Sequence, residues 1–228
     1  DAIVIELYAQ QFKWEARYSG ADNVLGKANV RYIEGANNLG VDLSDPNAQD
    51  DFAASELHIP KGKRVIFKMR SQDVLHSAYL PHFRAQMNCV PGMVTQFSFI
   101  PTVTTAEMRE KPAIIEKVNH INELRAKKSE QLVANGQTAL DPYTFDFLLL
   151  CNKICGASHY NMQMKVVVDT PEDFKAWLKD KQTIVQAVKT AAAEAEKSEK
   201  PATPTIDTAK VKAVVKDSTA VAQTEVKK

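Results

Sequence analysis

The chain has 228 residues, with 29 Lys and Arg against 28 Asp and Glu, for a net charge of +1. That length allows one or two domains with a buried core, and the charge balance gives no reason to expect nucleic acid as a partner. No run of about 18 apolar residues occurs that would span a bilayer, and three cysteines do not make a disulfide framework.

In chain order, the first hundred residues read as β. The stretch AIVIELYAQQFKWEARY (2–18) is rich in β-branched and aromatic residues, as is KRVIFKM (63–69), and VTQFSFIP (94–101) alternates as a half-buried strand does. Turn signals at IPKG (59–62) and VPGM (90–93) recur at short intervals, which favours an antiparallel sandwich over βαβ units. From Thr105 to about Gly136 the chain is charged, with Ile114, Val118 and Ile121 at helical spacing and a C-cap signal in ANG (134–136). Because β character returns in YTFDFLLL (143–150) and MQMKVVV (162–168), residues from about 105 to 141 are expected as a helical insertion within one domain, 1–170. Thr170-Pro171-Glu172-Asp173 is a helix start, with a single C-terminal helix expected over 171–199 and a disordered tail over 200–228.

The chemistry concentrates in one loop, Cys151-x3-Cys155-x3-His159-x2-Met162, between two predicted strands. A disulfide, a redox dithiol, a zinc site and a copper site are the candidates. Structural zinc takes four ligands from Cys and His, and Met is a poor zinc ligand. A thioredoxin-like dithiol needs Cys-x-x-Cys in a βαβ context, and neither is present. Thiolate, thioether and imidazole together are copper preferences. The loop has one Cys more than a blue copper site uses, so two copper ions sharing two thiolates become the better reading. Such a centre needs a second imidazole, for which His76 in SQDVLHSAYLPHF is the candidate.

Three blocks together resemble the binuclear copper (CuA) domain of cytochrome c oxidase subunit II: QQFKW (10–14), DVLHSAYLP with VPG (73–92), and CNKICGASHYNM (151–162). The resemblance implies a mainly β, cupredoxin-like Greek-key sandwich. It implies two copper ions bridged by Cys151 and Cys155, with His76 and His159 as terminal ligands. Met162 and the backbone carbonyl of Lys153 would be weak ligands, one to each ion. Family members commonly carry Glu at the Lys153 position, associated with magnesium, and lysine cannot ligate magnesium, so that site is not expected here. Phe12 stands where many relatives have a Trp associated with electron arrival, and Trp14 is nearby, so either ring is a candidate entrance. His82 is a candidate to order the neighbouring loop through a hydrogen bond.

The function implied is the electron-transfer subunit of a respiratory terminal oxidase, a subunit of cytochrome-c oxidase. It would accept electrons from cytochrome c and pass them to haem in the catalytic subunit, subunit I. The expected location is the periplasmic side of the bacterial cytoplasmic membrane, with membrane association through a segment outside this chain, which begins at Asp1. Alternatives are a copper chaperone or thiol redox protein for oxidase assembly, or the CuA domain of another reductase.

Overall fold

The structure, a computed structural model, describes residues 2–198. The expected tail from residue 200 lies outside the described residues. Residues up to Ala191 form one compact unit; the described residues 192–198 end the last helix.

Among the described residues, ten strands build two five-stranded sheets. β1 (Ile3–Gln10) turns tightly into β2 (Lys13–Tyr18), and β5 (Val65–Ser71) runs parallel to β1 on its other side. β3 (Phe52–Ala54) and β8 (Thr95–Phe99) complete the first sheet in the order β3-β2-β1-β5-β8. The second sheet, in the order β4-β10-β9-β6-β7, comprises β4 (Leu57–Pro60), β6 (His76–Leu80), β7 (Ala85–Cys89), β9 (Phe147–Cys151) and β10 (Gln163–Asp169). The expected cupredoxin-like sandwich is thus the observed fold.

Period-2 alternation decides what meets inside. Val65, Phe67 and Met69 of β5 face Phe147, Leu149 and Cys151 of β9 and Met164, Val166 and Val168 of β10 in one apolar core. Cys151 is therefore the last inward position of an apolar strand, which places a thiol at one end of the core. Cys89 is wholly buried there too, as a small apolar residue would be.

The insertion is two helices, α1 (Thr105–Arg109) and α2 (Pro112–Ala134). Thr104 and Glu107 form a reciprocal capping box for α1, and Pro112 opens α2. Asn135 ends α2, with Gly136 at φ +73° just after it. The chain then returns along α2: Asn122 exchanges two hydrogen bonds with the Tyr143 backbone (2.7 and 3.1 Å), and Arg125 donates to Asp141 O (2.7 Å).

The single helix expected over 171–199 is two, α3 (Pro171–Leu178) and α4 (Ile184–Ser198). The break has a tertiary cause. Thr183 forms a β-bridge to Phe52, and Ile184 N–H donates to Asp51 O at 2.8 Å, which pulls the chain out of helical geometry. The Thr183 hydroxyl then accepts from Gln186 N–H (3.3 Å) to start α4.

Candidate metal centre

The second sheet delivers the first two donors. In the antiparallel pairing of β6 with β9, Ala78 stands opposite Cys151, so His76, two residues before Ala78, shares its inward face. His76 is fully buried, and its Nδ1 lies 3.7 Å from Cys151 Sγ. The loop after β9 brings the rest. Cys155 Sγ is 3.8 Å from Cys151 Sγ, His159 Nδ1 is 3.5 Å from Cys155 Sγ, and Met162 Sδ is 3.8 Å from the same sulfur. The Lys153 carbonyl is 3.2 Å from Cys151 Sγ. Each thiol thus has one imidazole nitrogen beside it, one has a carbonyl and the other a thioether. All six donors expected from the sequence meet in one place.

The loop closes on itself because Cys151 N–H donates to Met162 O (3.1 Å) and Asn152 N–H to Ser77 O (3.0 Å), which pins both ends to the sheet. All three cysteines are free thiols, and the 3.8 Å between Cys151 and Cys155 exceeds the roughly 2.05 Å of a disulfide. Burial, reinforced by the facing Cys151 sulfur, pushes the Cys155 thiol up to about 11. A thiol raised in this way becomes a thiolate only when a cation neutralises it. His76, Cys151 and Cys155 alone bring their donor atoms within 4.8 Å of one another.

The sequence reading did not pick out the group behind His76. Asp73 Oδ1 accepts from His76 Nε2 at 2.8 Å, which fixes the proton on Nε2 and leaves the Nδ1 lone pair facing Cys151. Burial works to raise Asp73, but hydrogen bonds from the Gln11 amide, the His76 ring and the Val74 amide outweigh it and hold the carboxyl below its ordinary range. The signal was present, since Asp73 and His76 sit three apart in one motif, but spacing alone does not say that they touch.

Other expected residues lie elsewhere. His82 sits in a 3-10 turn (Pro81–Phe83) beyond the far end of β6, with its ring edge-on to Phe145 and Phe147. Four strand residues at about 3.3 Å each, and then Pro81, separate it from His76, so it does not order the ligand loop. Trp14 is only 4% exposed and packs edge-on against His76, with centroids 6.3 Å apart, so it offers no surface to an incoming donor. Phe12 is half-buried against Gly156 of the ligand loop. The large apolar side chains exposed on that loop are Ile154 (86%) and Tyr160 (87%), next to Cys155 and His159 respectively.

Residues 3–108 match the family of the cytochrome c oxidase subunit II periplasmic domain. The alternative cytochrome c oxidase subunit 2 of Bradyrhizobium diazoefficiens is 36% identical over 185 residues, covering 80% of this chain and 52% of the relative. Cytochrome c oxidase subunit 2 of Thermostichus vulcanus is 27% identical over 134 residues, 59% of this chain and 28% of that one. The crystal structure of the periplasmic domain of subunit II of cytochrome oxidase of Bradyrhizobium japonicum superposes with a TM-score of 0.42 at 15% identity, over 84% of this chain and 94% of that one. The chain spans about half the length of the Bradyrhizobium diazoefficiens relative. The family match begins in β1 and runs through β8 into α1, and the 36% identity extends over four-fifths of the chain: over these stretches it is similar to the cytochrome c oxidase subunit II periplasmic-domain family.

Proposed function

We propose that this domain holds two copper ions and relays single electrons as part of subunit II of a haem-copper terminal oxidase. The carrying observation is the pair of sulfurs 3.8 Å apart, each with its own imidazole nitrogen at 3.5–3.7 Å. The donor set is soft, with thiolates, imidazoles, a thioether and one carbonyl. Hard cations want carboxylates instead. The Lys153 side chain ends in an ammonium, which has no lone pair for magnesium. His76, Cys151, Cys155, His159, Met162 and the Lys153 carbonyl would hold the copper ions, which would supply one-electron chemistry at this place.

The chain's part is to hold these donors still. Cys151 and His76 are fixed by neighbouring strands, Met162 by its backbone bond to Cys151, and the His76 tautomer by Asp73. A rigid, dry site changes little on gaining an electron, which favours fast transfer. Ile154 and Tyr160, exposed beside two of the ligands, support a docking point for cytochrome c, with the half-buried Phe12 at its margin and Trp14 behind His76. The haem of the catalytic subunit is the proposed acceptor, and the periplasmic face of the bacterial membrane the proposed location. No described helix is long and apolar enough to cross a membrane.

Copper content and the EPR spectrum of the reconstituted, oxidised chain test this reading. Two coppers per chain, with one unpaired electron split by both nuclei, is the expected result. One copper with a mononuclear signal, or no retained copper, would overturn it.

A further inference from the structure

The turn between β1 and β2 supplies no donor atom, yet it touches both loops that do. Gln11 N–H donates to Asp73 Oδ2 at 2.7 Å, and Asp73 in turn receives His76 Nε2. The Gln11 side-chain amide donates to the Cys155 carbonyl. One residue therefore grips the His76 half of the cluster through its backbone and the Cys155 half through its side chain, across sequence separations of 62 and 144.

The neighbouring backbone is shaped to the same contact. Gly156 has φ +141°, and a Cβ added there would lie 2.8 Å from Gln11 Nε2 and 2.9 Å from the Phe12 ring. Glycine lets the loop lie flat on the turn. Among the described residues, apart from contacts between the ligands themselves, Gln11 is the hydrogen-bond partner that ties the middle of this loop to another element; Asn152 and Met162 tie only its ends. Gln11 is itself solvent-exposed, so core packing does not explain its two long-range bonds.

We infer that Gln11 is a positioning residue, a clasp that sets the spacing between the His76–Cys151 half and the Cys155–His159–Met162 half of the donor set. The inference rests on the copper reading for its consequence, although the clasp itself is a property of the metal-free chain. Without the clasp the sandwich keeps its core and the loop keeps its ends, while Cys155 gains freedom relative to Cys151.

The test uses the whole chain with Gln11→Leu, which removes the donor, Gln11→Lys, which restores one, and Gly156→Ala, which forces the loop away. In the metal-free protein, alkylation of Cys155 by iodoacetamide is expected to quicken about fivefold to tenfold in Gln11→Leu, the effect of one lost hydrogen bond. Gly156→Ala should do the same, Gln11→Lys should return towards the wild-type rate, and buried Cys89 should stay unreactive throughout. In the copper-loaded protein, Gln11→Leu should change the copper hyperfine pattern and lose metal to a chelator about tenfold faster. Unchanged alkylation and hyperfine pattern in Gln11→Leu would overturn the clasp, and so would Cys89 becoming reactive alongside Cys155, which means general loosening. If the wild type binds no copper while the alkylation differences persist, the copper reading falls and the clasp stands.

Discussion

Cys151→Ser is expected to remove the paired-copper EPR signal completely while leaving the sandwich folded. Cys151 is the hinge of the cluster, with His76 Nδ1 at 3.7 Å, Cys155 Sγ at 3.8 Å and the Lys153 carbonyl at 3.2 Å. A hydroxyl in its place is too hard and too weakly acidic to bridge two soft ions. It is also satisfied without metal, because the Lys153 carbonyl stands ready to accept its proton, so no buried polar group is orphaned and the stability cost stays small. Cys89→Ala is the matched control. Its thiol is wholly buried and burial pushes it up to about 12, so it stays neutral and outside the donor set, and both coppers should be retained. Met162→Leu falls between the two: a weak ligand is lost and a buried apolar volume kept, so two coppers with an altered spectrum are expected. Copper analysis, EPR and circular dichroism on the same samples decide among these. A Cys151→Ser protein with two coppers and an unaltered signal would contradict the bridging role.

Why the ligand loop was readable from sequence, and its supports were not, follows from distance along the chain. Cys151, Cys155, His159 and Met162 fall within twelve residues, so their spacing carries the chemistry directly. His76 was found because a binuclear site needs a second imidazole, although it lies 75 residues away. The Gln11 bonds leave no periodic trace, and a glutamine in a turn announces nothing. Trp14 is a candidate entrance by its nearness to Phe12 in sequence, but the alternation of β2 turns it inward, onto His76. His82 was misplaced although the sequence could have warned of it, since β6 must run its full length between His76 and the turn at Pro81. The Lys179–Thr183 break was invisible because its residues suit a helix locally, and what breaks it is a bridge to Phe52, remote in sequence.

The least legible feature is also the one with the largest expected effect on stability. Glu6 and Tyr8 of β1 alternate with Ile5, Leu7 and Ala9, which reads as a solvated outer face, yet both are buried because the segment between β2 and β3 folds over them. Beneath that segment Arg17 is 2% exposed. It donates to Glu6 Oε2 (2.9 Å), Asp51 Oδ2 (3.0 Å) and Gly26 O (3.0 Å), while Arg70 holds Glu6 from the other side. Arg17→Met keeps the apolar stem and removes the charge. Glu6 still has Arg70, but Asp51 is left buried without a cation, and its Oδ1 already has no partner among the described residues. Loss of one partner from a buried network costs about 3–5 kcal/mol, or roughly 10 °C in melting temperature for a domain of this size. The pH dependence separates this cause from lost packing. Burial raises Asp51 from 3.8 to about 6 against the pull of Arg17. With the folded value above the unfolded one, the folded protein holds a proton between these limits that the unfolded chain releases. The stability this group contributes is therefore present at low pH and lost as pH rises through about 6. Glu6 is the opposite case: burial opposes, but the two arginines hold it below its usual 4.5, so its contribution is lost only on acidification below that value. Without Arg17 the Asp51 carboxyl rises further. The deficit of Arg17→Met should then be largest near pH 8 and shrink steadily towards pH 5, whereas Asp51→Asn should lack this titration. Denaturant melts across that range read the result directly, and a deficit that is flat with pH would assign the loss to packing instead of charge.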